Sequence, residues 1–249
     1  MVKAVETMDG WYCLHDFRTV NWKAWKAIPQ EEREEAIEEF LTIVSEWEDV
    51  EKAKKGSQVM YNALGHKADL MWMFLRETTE ELAEIETKIN KSRLGDFLVR
   101  EHSYFSVIEM SKYRYQDSDV DPETLPEVQE RLRPILPKRK HMSFYPMKRK
   151  RTGHANWYTL EMEKRSKLLY EHSITGRKYL DQVRQVTTGS IGFDLWEWAI
   201  TLFSDDVLQL KKIVYEMRFD EASSVYGEFG DFYVGNYLPK EELANFLQI

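Results

Sequence analysis

The hydrophobic and polar positions of the first half predict the order strand, helix, two strands, helix, strand. The run GWYCLHDFR reads as a strand, and PQEEREEAIEEFLTIVSEWEDVEKAKK reads as an acidic amphipathic helix with Pro29 near its start. The strand-like runs SQVMYNAL and ADLMWMFL flank Gly65, which predicts a hairpin. The segment TTEELAEIETKINKS predicts a second helix, opened by a capping box of Thr78 and Glu81, and HSYFSVIEMSKY closes the half as a strand.

The same order of elements returns in the second half. HMSFYPM predicts a strand and WYTLEMEKRSKLLYEHS a helix, followed by the strand pair VRQVTTG and FDLWEWAITLF. A helix, SDDVLQLKKIVYEMRF, and a final strand, SVYGEFGDFYVG, complete the repeat. Two βαββαβ units correspond to two ferredoxin-like folds.

Helices cover one face of each predicted sheet, so the bare face must be buried, and the other half is the nearest partner. The pattern therefore predicts an α+β protein. Two fused ferredoxin-like repeats form a β-barrel-like core with helices outside, of the dimeric α/β-barrel type. We assign residues 1–115 to the first repeat, the polar, proline-bearing residues 116–137 to a connecting segment, and residues 138–249 to the second repeat.

Composition narrows the class of protein. The chain has 249 residues, of which 43% are hydrophobic, so a substantial core is available. A net charge of −8 argues against a general nucleic-acid binder, whose surface is normally basic. The single cysteine, Cys13, permits no internal disulfide. The first residues lack an apolar signal core, and no run is long enough to span a bilayer, so we expect a cytoplasmic protein.

Several enzyme classes lack their motifs here. The six histidines form neither an HExxH motif nor a cluster with cysteine, which argues against a structural zinc site. The sequence has no Walker loop, no GxGxxG before a helix and no GxSxG elbow.

The run HMSFYPMKRKR places Tyr145 three residues before the first of four consecutive cations, and five more cations precede it: Arg131, Arg133, Lys138, Arg139 and Lys140. A solvated turn, a nucleic-acid patch and a site for a polyanionic ligand all fit such a run. Guanidinium groups bind carboxylates through paired hydrogen bonds, and nearby cations would stabilise the phenolate of Tyr145. An apolar ligand with many carboxylates, such as a porphyrin, fits this pattern better than RNA.

His172 is the histidine most suited to a site. It shares a helix face with Leu168 and Leu169, and Gly176 would end the helix in the left-handed conformation. The residue is either a hydrogen-bonded core histidine or an iron ligand that projects onto a hydrophobic cavity. The pattern alone leaves both interpretations open.

The segments FYPMKRKR, NWYTLEMEKRSKLLYEHSITGRKYLDQVRQVTTGSIGFDLWEWAITLF and GHKADLMWMFLRET resemble the coproheme decarboxylases. These are haem-synthesis enzymes of Gram-positive bacteria, related to chlorite dismutases. The resemblance covers essentially the whole chain, and the Tyr-Pro-Met and Tyr-Glu-His-Ser segments are its specific part. It implies a pair of ferredoxin-like repeats per subunit and assembly as a homopentamer.

The resemblance also implies a reaction. The substrate is iron coproporphyrin III (coproheme), the oxidant is hydrogen peroxide, and two propionates become vinyl groups to give haem b. His172 corresponds to the proximal iron ligand and Tyr145 to the residue that forms a radical and abstracts hydrogen. The remaining residues expected to contact the porphyrin are Arg131, Met147, Lys148, Arg149, Gln185 and Ser223. A hand-off from a coproporphyrin ferrochelatase is a further expectation.

One position departs from the family pattern, which reads Tyr-Pro-Met, a small polar residue, then lysine. Here Lys148 holds the small position and Arg149 the lysine position. Arginine binds a propionate well but does not readily give up a proton. If the family lysine delivers a proton, then either Lys148 or Lys150 takes that role here, or the second decarboxylation is slower.

Three alternatives to decarboxylation remain. A chlorite dismutase would need a distal arginine, but Gln185 holds that position, and the neighbouring Arg184 should point to the opposite face of its strand. A haem carrier or sensor would need His172 but not Tyr145. A single-stranded RNA module would bind with a steep salt dependence.

Overall fold

The computed structural model describes residues 3–115 and 120–248, so residues 116–119 of the predicted connecting segment lie outside the described residues. The strands are β1 (Thr7–Val20), β2 (Gly56–Ala63), β3 (Leu70–Arg76), β4 (Leu98–Ser111), β5 (His141–Arg149), β6 (Arg151–Thr152), β7 (Ala155–Asn156), β8 (Val183–Gly189), β9 (Trp198–Ser204), β10 (Gly227–Phe229) and β11 (Tyr233–Tyr237). The helices are α1 (Trp22–Ala27), α2 (Gln30–Lys52), α3 (Thr79–Lys91), α4 (Pro126–Leu132), α5 (Met162–Arg177), α6 (Val207–Met217), α7 (Glu221–Ser224) and α8 (Lys240–Leu247).

Contacts divide the described chain into two compact units. The N-terminal unit contains residues 11–105, 134–138 and 233–248. The C-terminal unit contains residues 3–10, 106–115, 120–133 and 139–232. The repeat boundaries assigned from the sequence stay a prediction. Within the described residues, no helix combines the length and apolar character needed to cross a membrane.

The N-terminal unit is an antiparallel sheet with helices packed on one face. In it, β3 pairs with both β1 and β2, and β11 pairs with β2. Phe40 and Trp47 of α2 are buried, and the Trp47 ring packs edge-on against Phe74 of β3 at 5.0 Å between centroids. The indole of Trp25 donates a hydrogen bond to the Leu247 carbonyl at 2.8 Å, which fixes the last helix of the unit. The core therefore lies between the sheet and its helices.

The C-terminal unit repeats the same layering. Strand β9 pairs with β5 and β8, β8 pairs with the end of β4, and β10 pairs with β5. Leu210 and Ile213 of α6 pack on Ile200 and Leu202 of β9 in one buried cluster. Both units are antiparallel sheets with helices, which confirms the predicted α+β class.

Three local predictions are wrong. The helix α5 continues past Gly176, which does not adopt a positive φ; a side chain there would approach Met217 Cε to 2.9 Å, so glycine lets α5 and α6 pack closely. The strand predicted from Phe193 begins only at Trp198. The predicted last strand divides into β10 and β11, and β11 pairs with β2 of the N-terminal unit.

The predicted capping box at the start of α3 is confirmed. The Thr78 hydroxyl accepts a hydrogen bond from the Glu81 amide, and the Glu81 carboxylate accepts one from the Thr78 amide.

Replacing Thr78 by alanine should lower the free energy of unfolding by about 1 kcal/mol. The neighbouring Thr79 hydroxyl donates a hydrogen bond to the exposed carboxylate of Glu80. Thr79→Ala should therefore cost less than about 0.5 kcal/mol in urea denaturation. Equal losses in both variants would contradict the cap assignment.

Candidate functional site

The imidazole of His172 is held by a carboxylate. Its Nδ1 lies 2.8 Å from Asp220 Oδ2, and its side chain keeps 29% of its accessible surface. A ring nitrogen that faces a carboxylate carries the proton when the imidazole is neutral, so Nε2 is left with a lone pair. In the part of the chain that the structure describes, Nε2 has no recorded hydrogen bond. His172 is therefore not a packed core histidine, and its Nε2 is suited to bind a metal ion.

Asp220 holds this geometry because it is also a helix cap. Its Oδ1 accepts a hydrogen bond from the Ser223 amide at 2.8 Å, at the start of α7. The Ser223 hydroxyl lies 3.4 Å from His172 Nδ1. Burial acts to raise the pKa of Asp220, but the hydrogen bond to His172 and those from Ser223 outweigh it and hold this pKa below its usual range. The carboxylate therefore stays ionised at neutral pH.

A small cavity, the histidine cavity, lies beside His172 and has a volume of about 40 Å³. It is lined by Tyr145, Met147, Arg149, His172, Gln185, Ile200, Val214, Met217, Arg218, Ser223 and Phe229. Six of the residues selected from the sequence meet here: Tyr145, Met147, Arg149, His172, Gln185 and Ser223. Gln185 lines the cavity and Arg184 lies outside it, as expected from the alternation of side chains along a strand.

The phenol of Tyr145 is deeply buried, with 5% of its surface accessible. Its ring stacks on Phe232 at 4.4 Å between centroids. Burial raises the pKa of Tyr145 well above its ordinary value, and the charge of Arg218 offsets only part of this shift. The expectation that neighbouring cations would stabilise the phenolate is wrong because desolvation is the larger effect. The O–H bond stays intact at neutral pH.

The basic run does not form one cationic rim. On β5, Tyr145, Met147 and Arg149 face the histidine cavity, whereas the alternating Lys148 lies on the other face. Lys148 forms an ion pair with Glu228 at 3.2 Å and lies over the Trp196 ring. Three other cations of the group also pair with carboxylates of the chain: Lys138 with Glu51, Arg139 with Asp205, and Arg151 with Glu197.

Arg149 reaches the cavity but is firmly held. Its guanidinium lies 4.3 Å from the centroid of the Trp157 ring and donates a hydrogen bond to the Ala222 carbonyl at 2.6 Å. Its amide donates to the buried carboxylate of Glu197 at 2.7 Å. Stacking and hydrogen bonding fix this guanidinium in one position, which suits recognition of a carboxylate.

Arg131 lies at a second cavity, of about 900 Å³, which we call the large cavity. Its other lining residues are Glu109, Met110, Ser111, Tyr113, Tyr115, Met162, Glu163, Ser166, Lys167, Leu169, Tyr170, Ser173 and Thr187. Leu169 and Ser173 of α5 line this cavity, and His172 between them lines the histidine cavity. A hydrogen bond from Gln185 to Thr187, at 3.0 Å, joins the walls of the two cavities along β8.

Sequence reasoning missed Asp220 and Arg218. Asp220 lies 48 positions from His172, and only the fold brings the two together. The guanidinium carbon of Arg218 lies 3.5 Å from the centroid of the Phe229 ring at the wall of the histidine cavity. The apolar spacing of Leu210, Val214 and Met217 on α6 was a usable signal, since it places the end of this helix, and Arg218 after it, at the site.

The fold and the site define an α+β protein in which a carboxylate-held histidine faces a cavity. The family model for chlorite dismutase matches residues 18–238, and the chain therefore belongs to this family. A solved structure described as a novel haem-binding protein from Thermus thermophilus is 44% identical, with a TM-score of 0.95; the match covers 99% of this chain and 98% of that one. Chlorite dismutase from Candidatus Nitrospira defluvii, in complex with imidazole, shares the fold at 21% identity and a TM-score of 0.76, over 96% of each chain.

Asp220→Asn tests how His172 is held. Nitrogen-15 NMR of the neutral imidazole should show the proton on Nδ1 in the original protein and a mixture of tautomers in the variant, since an amide both donates and accepts. Asp206 caps α6 in the same way, through the Leu208 amide, and in the described residues no hydrogen bond joins it to His172. Asp206→Asn should leave the His172 signals unchanged. Unchanged signals in Asp220→Asn would refute the assignment.

Proposed function

We propose that this chain is a coproheme decarboxylase that converts iron coproporphyrin III into haem b with hydrogen peroxide. The observation that carries the proposal is that Tyr145 and His172 line one cavity. A phenol for hydrogen transfer and an imidazole for iron are the two groups that the reaction needs close together. The proposal also rests on membership of the chlorite dismutase family and on the resemblance of the Tyr-Pro-Met and Tyr-Glu-His-Ser segments.

The residues fit an iron porphyrin on one condition. Pockets for ligands of drug size span about 300–1,000 Å³. The large cavity falls within this range, and the histidine cavity does not. A macrocycle that reaches both His172 and Arg131 therefore requires the two cavities to open into one. The side chains suit such a ligand. The imidazole of His172 could bind the iron, arginine side chains could bind the propionates, and apolar side chains line the histidine cavity.

His172 would ligate the iron through Nε2 while Asp220 holds Nδ1 and keeps the ring oriented. A carboxylate partner makes the imidazole a stronger donor to the metal. The bound iron supplies the oxidation by peroxide, and the protein supplies orientation and electrostatics. Ser223 restrains the same pair, because its amide fixes the Asp220 carboxylate.

Tyr145 would remove a hydrogen atom from the β-carbon of a propionate after losing its own phenolic hydrogen. For each propionate the balance is one peroxide and one proton consumed, with one carbon dioxide, two waters and one vinyl group formed. The raised pKa of Tyr145 favours this role, because the hydrogen stays on the phenol until oxidation removes it. Stacking on Phe232 holds the ring in place.

Arg149, Met147 and Ser223 would contact the propionate nearest Tyr145, and Arg131 a propionate in the large cavity. The guanidinium of Arg149 is held by Trp157 and Ala222, so we assign it to binding and not to proton delivery. Lys148 is paired with Glu228 on the other face of β5, so its expected contact with the porphyrin requires that ion pair to break.

A haem carrier is the second candidate. The relative from Thermus thermophilus is described as a haem-binding protein, and binding alone would require His172 but not Tyr145. Chlorite chemistry is disfavoured because Gln185 holds the position expected for its arginine, with Arg184 outside the cavity. The homopentamer, the cytoplasmic location and the hand-off from a ferrochelatase stay predictions.

Tyr145→Phe separates the two candidates. The variant should bind iron coproporphyrin III but form no haem b, because phenylalanine has no phenolic hydrogen to lose; mass spectrometry for loss of carbon dioxide follows the conversion. Tyr179 packs on the same hydrophobic cluster, and its hydroxyl donates to Glu216 at 2.8 Å away from the cavity. Tyr179→Phe is the control and should retain conversion. Full conversion by Tyr145→Phe would sink the radical assignment, and no conversion by the original protein would favour the carrier.

A further inference from the structure

Glu109 is a half-buried carboxyl group in the wall of the large cavity. It lies near the end of β4, where Val107 pairs with Gly189 and Ile108 with Thr188. Its Oε1 accepts a hydrogen bond from the Trp198 indole at 3.3 Å. In the described part of the chain no ion pair to Glu109 is recorded, although Arg131 lines the same cavity.

The space occupied by this carboxyl group depends on a glycine. A side chain at Gly189 would place its Cβ 2.8 Å from Glu109 Oε2 and 3.0 Å from its Cδ. Any larger residue there would displace the carboxyl group from the sheet. Gly189 and Trp198 together therefore fix Glu109 with one oxygen bonded to an indole and the other free of that bond.

The surroundings favour the neutral acid. Burial raises the pKa of Glu109, the hydrogen bond from Trp198 partly offsets this, and Asp9 adds a further rise. The other titratable groups at the cavity are Arg131 from α4, Glu163, Lys167 and Tyr170 from α5, and Tyr113 and Tyr115 after β4. Arg131 and Lys167 attract an anionic ligand into this space, and an ionised Glu109 would repel it.

We propose that Glu109 takes up a proton when a carboxylate-bearing tetrapyrrole enters the large cavity, and then donates a hydrogen bond to that carboxylate. The inference rests on the proposed function for the class of ligand, and it adds a proton to the binding step. A carboxylic acid pairs with a carboxylate through a charge-assisted hydrogen bond, whereas two carboxylates repel each other. Esterified tetrapyrroles lack the group that drives this uptake.

Linkage sets the sign of the pH dependence. The pKa of Glu109 is higher with the ligand than without it, so the affinity is greatest at low pH. The affinity for the tetrapyrrole falls as the pH rises above the pKa of Glu109 in the free protein, by up to about tenfold per pH unit. It levels off above the pKa of Glu109 in the complex. Glutamine at this position resembles the protonated acid, because its amide still accepts from Trp198 and donates to the ligand.

Metal-free coproporphyrin III is the probe, because it carries the four carboxylates and undergoes no turnover. Calorimetric titration in two buffers of different ionisation enthalpy gives the number of protons taken up, at a pH between the pKa of Glu109 in the free protein and its pKa in the complex. We expect the original protein to take up close to one proton more than Glu109→Gln. Glu163→Gln is the matched control: it removes the same charge from an exposed position on the same cavity and should keep the uptake.

Equal uptake by the original protein and Glu109→Gln overturns the inference, as does a failure of coproporphyrin III to bind. If Glu109→Gln does not fold, the tetramethyl ester of coproporphyrin III provides the comparison with the original protein. The ester should bind without the extra proton, and equal uptake with acid and ester overturns the inference. Proton uptake without conversion of coproheme by peroxide would refute the proposed function alone, because the probe contains no iron.

Discussion

The site depends on one carboxylate that makes two sets of contacts. Asp220 caps α7 through the Ser223 amide and holds His172 through Nδ1, so the end of one helix fixes a side chain on another. Hydrogen bonds to charged groups contribute about 1.5–3 kcal/mol each, more than neutral ones. Without this carboxylate the imidazole would be free to rotate and to exchange its tautomers. The orientation of the His172 ring beside the cavity follows from this contact.

The alternation of side chains along β5 decides which residues join His172. Tyr145, Met147 and Arg149 are two positions apart and share a face, and the cation between the last two faces the other way. The chain then neutralises that cation internally, as it does Arg151 of the same run and Lys138 and Arg139 before it. A run of basic residues on a strand therefore presents only half of its charges to any one site.

The sequence predicted the layered antiparallel fold because the two-residue and 3.6-residue periods are local properties. It also selected Tyr145 and His172, through short segments with specific composition. Contacts between distant positions could not be predicted, because no local pattern links Asp220 to His172 or Arg218 to Phe229. The ends of the last strand were predicted wrongly for the same reason. Residues 230–232 separate β10 from β11, and β11 pairs with β2. The opposite orientation of Lys148 was predictable from the strand period alone.

A crystal structure with iron coproporphyrin III bound tests the central claim most directly. The account predicts His172 Nε2 at about 2.0–2.1 Å from the iron, a typical length for a metal–imidazole bond. It also predicts Asp220 on Nδ1 and the Tyr145 oxygen in contact with the β-carbon of a propionate, with the histidine cavity and the large cavity joined. Iron ligated by another residue, or Tyr145 screened from every propionate by protein atoms, would contradict the account.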